Sequence, residues 1–338
     1  GAPPFLRGDF LEGEKREGAP PGVPDGLRVV AVGGWDGARN LSSIETLPSS
    51  SKSFALSPTP LSSARRGAAA AALDGQVYVM GGWDGLEYLK SVEILDAASG
   101  RWRQAAPMRE PRCYAAATAV DGRVYVAGGY RGQDNLSSVE VYDPQTNRWS
   151  PLPPLSSPRR GLGLAAMAGH LYAIGGWDGK HNLPSAEGLA LAAPGSATNT
   201  PRSGATGREG AVSARSWRRI PDMATPRSSL AVATVGGCVI AAGGWDGASF
   251  LSSVECYEPL YGTQRNPVGE WRALAPMKVP RSYAAAAALP DGLLILGGWD
   301  GTSGRRLDST ERYYRDSNTW KPSPPLTTPR YGLAAVLV

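Results

Sequence analysis

The segment QVYVMGGWDG, residues 76–85, decides the fold, because it returns five more times along the chain. The copies are RVVAVGGWDG at 28–37, RVYVAGGYRG at 123–132, HLYAIGGWDG at 170–179, CVIAAGGWDG at 238–247 and LLILGGWDG at 293–301. Each is an apolar run of strand length that ends in a Gly-Gly pair. The pairs begin at Gly33, Gly81, Gly128, Gly175, Gly243 and Gly297, with spacings of 48, 47, 47, 68 and 54 residues. A self-similar period of this size marks a repeat architecture.

Other landmarks keep step with the glycines. A glutamate follows the first Gly by 12 residues at Glu45, Glu93, Glu140, Glu187 and Glu255, and by 14 at Glu311. An aromatic comes next: Phe54, Trp102, Trp149, Trp217, Trp271 and Trp320. The gap is 9 residues in four repeats, 16 in the fifth and 30 in the fourth. An arginine lies 10 beyond each Trp, at Arg112, Arg159, Arg227, Arg281 and Arg330, and Arg65 lies 11 beyond Phe54. Length variation thus falls between the Glu and the Trp. Constant spacing marks packed structure, and variable spacing marks a surface loop.

Each period reads as four short strands. In the second repeat they fall at about 66–73, 76–82, 89–96 and 101–105, and Leu73-Asp74-Gly75 joins the first two as a hairpin. The runs before the glycines are nearly all apolar, as suits strands buried on both faces. The first strands are alanine-rich: Ala68–Ala72, Ala115–Ala117 and Ala284–Ala288. Propensity alone favours helix there. The runs are too short for a stable helix and are bounded by turn residues. They read instead as inner strands crowded around an axis. The chain enters with a Gly-Gly strand, Leu27–Gly34, that lacks an inner strand, and leaves with an apolar run to Val338 that lacks a Gly-Gly partner. The last strand is expected to complete the first blade and so remove exposed sheet edges.

Gly-Gly closing one strand, a Tyr before it (Tyr78, Tyr125, Tyr172) and a Trp opening the last strand resemble the kelch repeat. The resemblance covers residues 26–338 with six copies. It implies an all-β fold, a six-bladed kelch β-propeller with four-stranded antiparallel blades. The Trp-Asp dipeptides do not indicate WD40 repeats, because they directly follow Gly-Gly and the period is too long. Outside the ring, residues 1–25 read as a flexible Pro/Gly-rich leader. Residues 191–215 in blade 4 read as a disordered Gly/Ala/Ser/Thr/Arg insertion.

Composition sets the function classes. Hydrophobic residues make up 42% of 338 and charged residues 19%, an ordinary globular balance. The net charge of +5 is spread without a basic block, so neither nucleic acid nor a membrane is the expected partner. No apolar run reaches the ~18 residues of a membrane span. Three cysteines, Cys113, Cys238 and Cys256, form no disulfide framework, which favours a reducing, cytoplasmic setting.

Enzymatic readings find little support. No GxSxG, Walker or HExxH motif occurs. Kelch-type copper oxidases need two His and two Tyr ligands. Here His170 and His181 fall on opposite loop sets and cannot share a metal. No metal site and no cofactor are expected. Cys113 stands beside Arg112, a charge that could lower its pKa for redox sensing, or it simply fills an inner strand.

In a kelch blade, the loops joining strands two and three share one face with those leading to the next inner strand. That face then carries Trp35-Asp36, Trp83-Asp84, Trp177-Asp178, Trp245-Asp246 and Trp299-Asp300, with Tyr130-Arg131 in the third repeat. It also carries the arginine turns: Arg65, Arg112-Cys113-Tyr114, Arg159-Arg160, Arg227, Arg281 with Tyr283, and Arg330-Tyr331. Aromatics and Arg are the residues enriched at binding hot spots. In the kelch adaptors that the chain resembles, peptide partners dock on this face. Structural readings stand beside that one. The Trp can pack on the next blade, the Asp can turn its own loop, and the arginines can pair with the repeat glutamates.

Departures from the repeat point more sharply to a partner: Arg66, Arg131, Asp134, Arg160, Lys180, His181 and Arg305-Arg306. The resemblance implies a protein-binding module. Behind a BTB domain it would be the substrate receptor of a cullin-type ubiquitin ligase. The alternatives are an actin-binding scaffold and a kelch-type sugar-processing enzyme.

Overall fold

The computed structural model describes residues 26–191, 216–260 and 268–338. The leader at 1–25 and nearly all of the 191–215 insertion lie outside the described residues. Among the described residues the structure is all strand and turn. Six four-stranded antiparallel sheets form the blades of a propeller, and a two-stranded ribbon, Trp299–Asp300 with Arg305–Arg306, projects from the sixth.

In blade 2 the strands are Ala69–Leu73, Gln76–Met80, Val92–Asp96 and Arg101–Ala105, from the axis outward. The order holds in every blade. The sequence places these strands well but starts the first and third about three residues early and runs the second two residues long, because the arginine turn, the loop residues 89–91 and the Gly-Gly pair lie outside the ladder. The inner alanine runs are strands: Ala69–Leu73, Ala116–Val120 and Ala285–Leu289. Space at the axis accounts for the small residues. A Cβ on Gly163 of blade 4 would come within 2.0 Å of Val232 in blade 5. Tertiary crowding overrides helix propensity there.

Closure follows the expectation. The C-terminal strand Ala334–Leu337 pairs with Arg28–Val32, in register Val29↔Leu337 to Val32↔Ala334, and completes blade 1. Six hydrophobic clusters lie between successive blades, one per junction. Between blades 2 and 3, for example, Tyr78, Met80 and Ile94 pack on Val124, Val126 and Trp149. The outer-strand tryptophans tie five of the six junctions, and Phe54 takes their place in blade 1. The indole N–H of Trp149 donates to Ala106 O at 2.8 Å and that of Trp320 to Ala275 O at 2.7 Å, each in the preceding blade's exit loop. Phe54, Trp149, Trp217 and Trp320 are buried, while Trp102 and Trp271 are half-buried.

At one end of the axis the backbone forms a closed circle. Gly67 N–H donates to Gly332 O, Tyr114 to Gly67, Gly161 to Tyr114, Ser229 to Gly161, Tyr283 to Ser229 and Gly332 to Tyr283, at 2.6–2.9 Å. Each of the six residues has φ between 52° and 63°. That left-handed geometry suits the three glycines and strains the other three.

Candidate functional site

The GGWDG loops stand on the same end as this circle. Their geometry follows from two constraints. First, the chain must turn under the next blade. Gly81 has φ 63°, and a Cβ there would lie 2.3 Å from Arg112 O, so only glycine fits. Second, the turn must be closed. Asp84 Oδ1 accepts the N–H groups of Leu86 and Glu87 at 2.7 and 2.8 Å, and Asp36, Asp178, Asp246 and Asp300 do the same in their loops. These backbone donors hold the Asp84 and Asp178 carboxyls below their usual pKa. The five aspartates thus serve their own turns.

The six repeat arginines require a correction to the expected surface. Arg65, Arg112, Arg159, Arg227, Arg281 and Arg330 are 0–1% exposed. Each spans the interior of a blade. Arg159 donates to Gly175 O at 2.9 Å, to Ser185 Oγ at 3.0 Å and to Glu187 at 2.8 Å. The same pattern joins Arg65 to Glu93, Arg112 to Glu140, Arg227 to Glu255, Arg281 to Glu311 and Arg330 to Glu45. Each arginine pairs with the glutamate that follows it in the chain, and Arg330 reaches back to Glu45 across the closure. The second glutamate oxygen accepts a loop N–H, as Glu187 Oε2 does from Ser156. Burial pulls the Arg65, Arg159, Arg281 and Arg330 pKa values down, and the facing carboxylates oppose the shift. These guanidinium groups explain the fixed spacing of the repeat and present nothing to a partner.

What reaches the face is a collar of aromatics: Trp35, Trp83, Tyr130, Trp177, Trp245 and Trp299, each partly exposed. The junctions between neighbouring loops are filled by the residue paired across each loop with its aromatic: Asn40, Tyr88, Asn135, Asn182, Phe250 and Arg306. Tyr88 stacks on Trp83 at 4.5 Å and lies 5.5 Å from Tyr130. Phe250 stacks on Trp245 at 4.5 Å. Where that neighbour is large, the last glycine of the motif leaves room for it, as Gly37 does for Arg306 and Gly301 for Phe250. A Cβ on Gly132 would lie 2.8 Å from the Tyr88 ring. Two arginines complete the collar. Arg160 sits 5.0 Å from the Tyr130 ring and 4.3 Å from Trp177, and Arg306 sits 5.4 Å from Trp35 and 5.9 Å from Trp299.

Inside the collar the face is concave. A cavity of about 530 Å³ is lined by Trp35, Trp245, Trp299, Tyr331, Arg66 and Arg306, among others. An adjoining one of about 330 Å³ is lined by Arg160, Trp177, Asn182 and Ser229. Tyr114 and Tyr283 form the floor common to both. They come from opposite blades, 3 and 6, and their rings meet at 5.3 Å. Burial pushes the Tyr114 hydroxyl far above its usual pKa. Below this pair the inner strands enclose a separate channel of about 360 Å³. Among the described residues, neither surface cavity has a carboxylate in its lining, whereas Arg66, Arg160 and Arg306 all contribute.

The other expected residues lie apart from this basin. Arg131 is held by Glu110 at 3.0 Å and Asp134 at 3.1 Å on the rim of blade 3. His181 is exposed beside Asp178, 3.8 Å away, and His170 opens a strand at the opposite end. Cys113 is buried, and burial pushes its thiol up to about 12 despite Arg160 and Arg66 nearby, which fits the reading of it as a small filler and not as a redox sensor. Sequence reasoning missed Tyr88, Phe250, Ser228, Ser282 and Leu86, the last 91% exposed at a loop tip. The signal for the first two was present. Five residues after the loop aromatic, the repeats read Asn40, Tyr88, Asn135, Asn182 and Phe250.

Comparison with known proteins agrees with the repeat geometry. A kelch-repeats domain of the FKB95 type matches residues 38–187, and the kelch motif matches 226–278 and 280–327. The chain belongs to the kelch-repeat family, whose propeller is a protein-interaction fold. It is 39% identical over 77 residues to human influenza virus NS1A-binding protein, a match covering 23% of this chain and 11% of that one. It is 36% identical over 74 residues to human Kelch-like protein 4, covering 22% and 10%, and 29% identical over 125 residues to alpha-scruin of Limulus polyphemus, covering 36% and 13%. The matched segments thus span about a tenth of those proteins. The solved structure of YjhT superimposes with TM-score 0.66 over 90% of this chain and 99% of that one at 14% identity, which shows the shared fold. No helix among the described residues is long and apolar enough to cross a membrane.

Proposed function

We propose that this propeller recognises a protein partner through the basin inside the aromatic collar, and that the segment it grips is anionic. The observation that carries this reading is the basin's lining, with three arginines, several aromatics and no carboxylate. Like charge is concentrated where a partner would dock, so a carboxylate-bearing segment is favoured and a basic one rejected. Joined to a BTB domain, the module would serve a cullin-type ubiquitin ligase as its substrate receptor in a reducing, cytoplasmic setting. An actin filament is the alternative protein partner.

The test uses Arg160→Glu with Arg306→Glu, because substituting the buried arginines would unfold the blades. The variant is expected to keep its melting temperature within a few degrees and to lose captured partners from cell lysate. Affinity for an identified partner should fall by roughly 30-fold or more, the range of a binding hot spot. A folded variant that keeps every partner would move binding off this face. If the native ring captures nothing, sugar binding in the same basin becomes the reading to test.

A further inference from the structure

A second group of reactive side chains lies in blade 5, at the end opposite the GGWDG loops. Cys238 opens the second strand, Cys238–Ala242, and Cys256 and Glu258 lie on the third, Val254–Leu260. The register Val239↔Tyr257 and Ile240↔Cys256 sets Cys238 across from Glu258, with Cys256 two residues further along. Strand alternation turns all three toward the same face of the sheet. Their donor atoms lie within 4.8 Å of one another, the only such group among the described residues.

Two chemistries could use a pair of thiols so placed, and the register separates them. Diagonal cross-strand neighbours have Cα atoms about 7–8 Å apart, beyond the roughly 4.4–6.8 Å of a disulfide. Direct bonding would require the strands to shift. A metal ion between the sulfurs needs no such shift. Tetrahedral thiolate ligands at about 2.3 Å from zinc stand about 3.8 Å apart. Cys256 Sγ already lies 4.0 Å from Glu258 Oε1.

The surroundings fit a cation held by anionic ligands. Both thiols are at most 2% exposed, whereas the Glu258 side chain is 42% exposed and gives an entry path. Arg272, across from Cys256, donates Nε and Nη2 to Glu258 Oε1 at 3.0 and 2.6 Å. That contact orients the carboxylate on the oxygen that faces Cys256, and the oxygen's remaining lone pair is the one open to a ligand. Two thiolates and a carboxylate around a divalent ion leave one negative charge, which faces the two nearby cations Arg272 and Arg315. Thiolates select soft or borderline ions over magnesium or calcium. We propose that Cys238, Cys256 and Glu258 form a binding site for a zinc-type divalent cation, with the fourth position left to water.

The test is metal titration of the full chain, reduced and stripped with chelator. One equivalent of Co²⁺ should produce a near-ultraviolet thiolate-to-cobalt band that Zn²⁺ abolishes. Cys256→Ser should weaken Zn²⁺ binding by more than about 100-fold, beyond the 10–100-fold typical of losing an outer partner. Cys113→Ser should change nothing. Should Cys256→Ser fail to fold, Glu258→Gln replaces a half-exposed group and should weaken binding at least tenfold while keeping the cobalt–thiolate band. Absence of that band overturns the proposal. So does equal sensitivity to Cys113→Ser, or Glu258→Gln binding as tightly as the native chain. A Cys238–Cys256 disulfide formed readily by mild peroxide, with no metal retained by the reduced protein, would assign the pair to redox chemistry instead.

Discussion

Arg159 and Arg160 are neighbours in the chain and opposites in the molecule. Arg159 is buried, with its charge matched by Glu187 at 2.8 Å and its other donors on backbone and serine oxygens. Arg160 points outward and stacks between Tyr130 and Trp177 beside a cavity. Arg65 and Arg66 divide in the same way. The difference lies in the repeat. The first position of the turn is Arg in all six blades. The second reads Arg66, Cys113, Arg160, Ser228, Ser282 and Tyr331, and the third Gly67, Tyr114, Gly161, Ser229, Tyr283 and Gly332. What every blade needs in order to fold is repeated. Among the varying second positions, Arg66, Arg160 and Tyr331 reach the basin, while Cys113, Ser228 and Ser282 are buried.

The sharpest way to break this comparison is to cut each arginine to alanine. Arg159→Ala strands the Glu187 carboxylate in a dry interior, and breaking such a pair costs about 3–5 kcal/mol. Arg160→Ala removes a half-buried cation–π contact and no ion pair, worth about 0.5–2 kcal/mol. Urea unfolding of the two variants is expected to show this gap, with the midpoint of Arg159→Ala far below that of Arg160→Ala. Equal midpoints would mean that the buried ring does not hold the blades.

The outer-strand aromatics offer a second contrast. Trp149 is buried and ties blade 3 to Ala106 at 2.8 Å, whereas Trp102 is half-buried with a longer bond of 3.1 Å to Thr59. Trp149→Ala should cost about 3–5 kcal/mol, as large aromatic truncations in a core do. Trp102→Ala should cost less. Thermal unfolding of both checks the order, and a larger loss at Trp102 would show that burial does not set the scale.

Much of this is legible in the sequence. The six Gly-Gly pairs, the alanine inner strands and the C-terminal closure all follow from spacing and from strand-length apolar runs. The site was legible only in part. The spacing puts the arginines on the correct turns but leaves open whether they face a partner or pair with the repeat glutamates, since a gap of 16 residues to the next Gly-Gly does not say which way a guanidinium points; the pairing is what the structure shows. The link from Arg159 to Gly175 O explains that spacing once it is seen. The basin itself depends on contacts between loops of different blades, such as Phe250 against Gly301 or Arg306 against Gly37. No pattern within a single repeat reports those. The Cys238–Cys256–Glu258 group was missed for a similar reason, since strand register rather than sequence distance brings it together.

The smallest expected effect concerns the circle of backbone bonds at the axis. Ser229 holds φ 53° where Gly67, Gly161 and Gly332 hold 59–63°. A left-handed residue with a Cβ costs about 1–2 kcal/mol, while glycine returns part of that through its greater freedom in the unfolded chain, about 0.5–1 kcal/mol. Ser229→Gly should therefore be neutral or stabilise the ring by up to about 1 kcal/mol. Tyr114→Gly relieves the same strain but removes a ring that packs on Tyr283 at 5.3 Å and over Gly67, so it should destabilise. The two substitutions at equivalent positions are expected to change the unfolding midpoint in opposite directions. If both lower it, the strain at this circle is too small to matter. The tyrosines would then need no explanation beyond packing, and the contrast between repeated and variable positions would rest on the arginines alone.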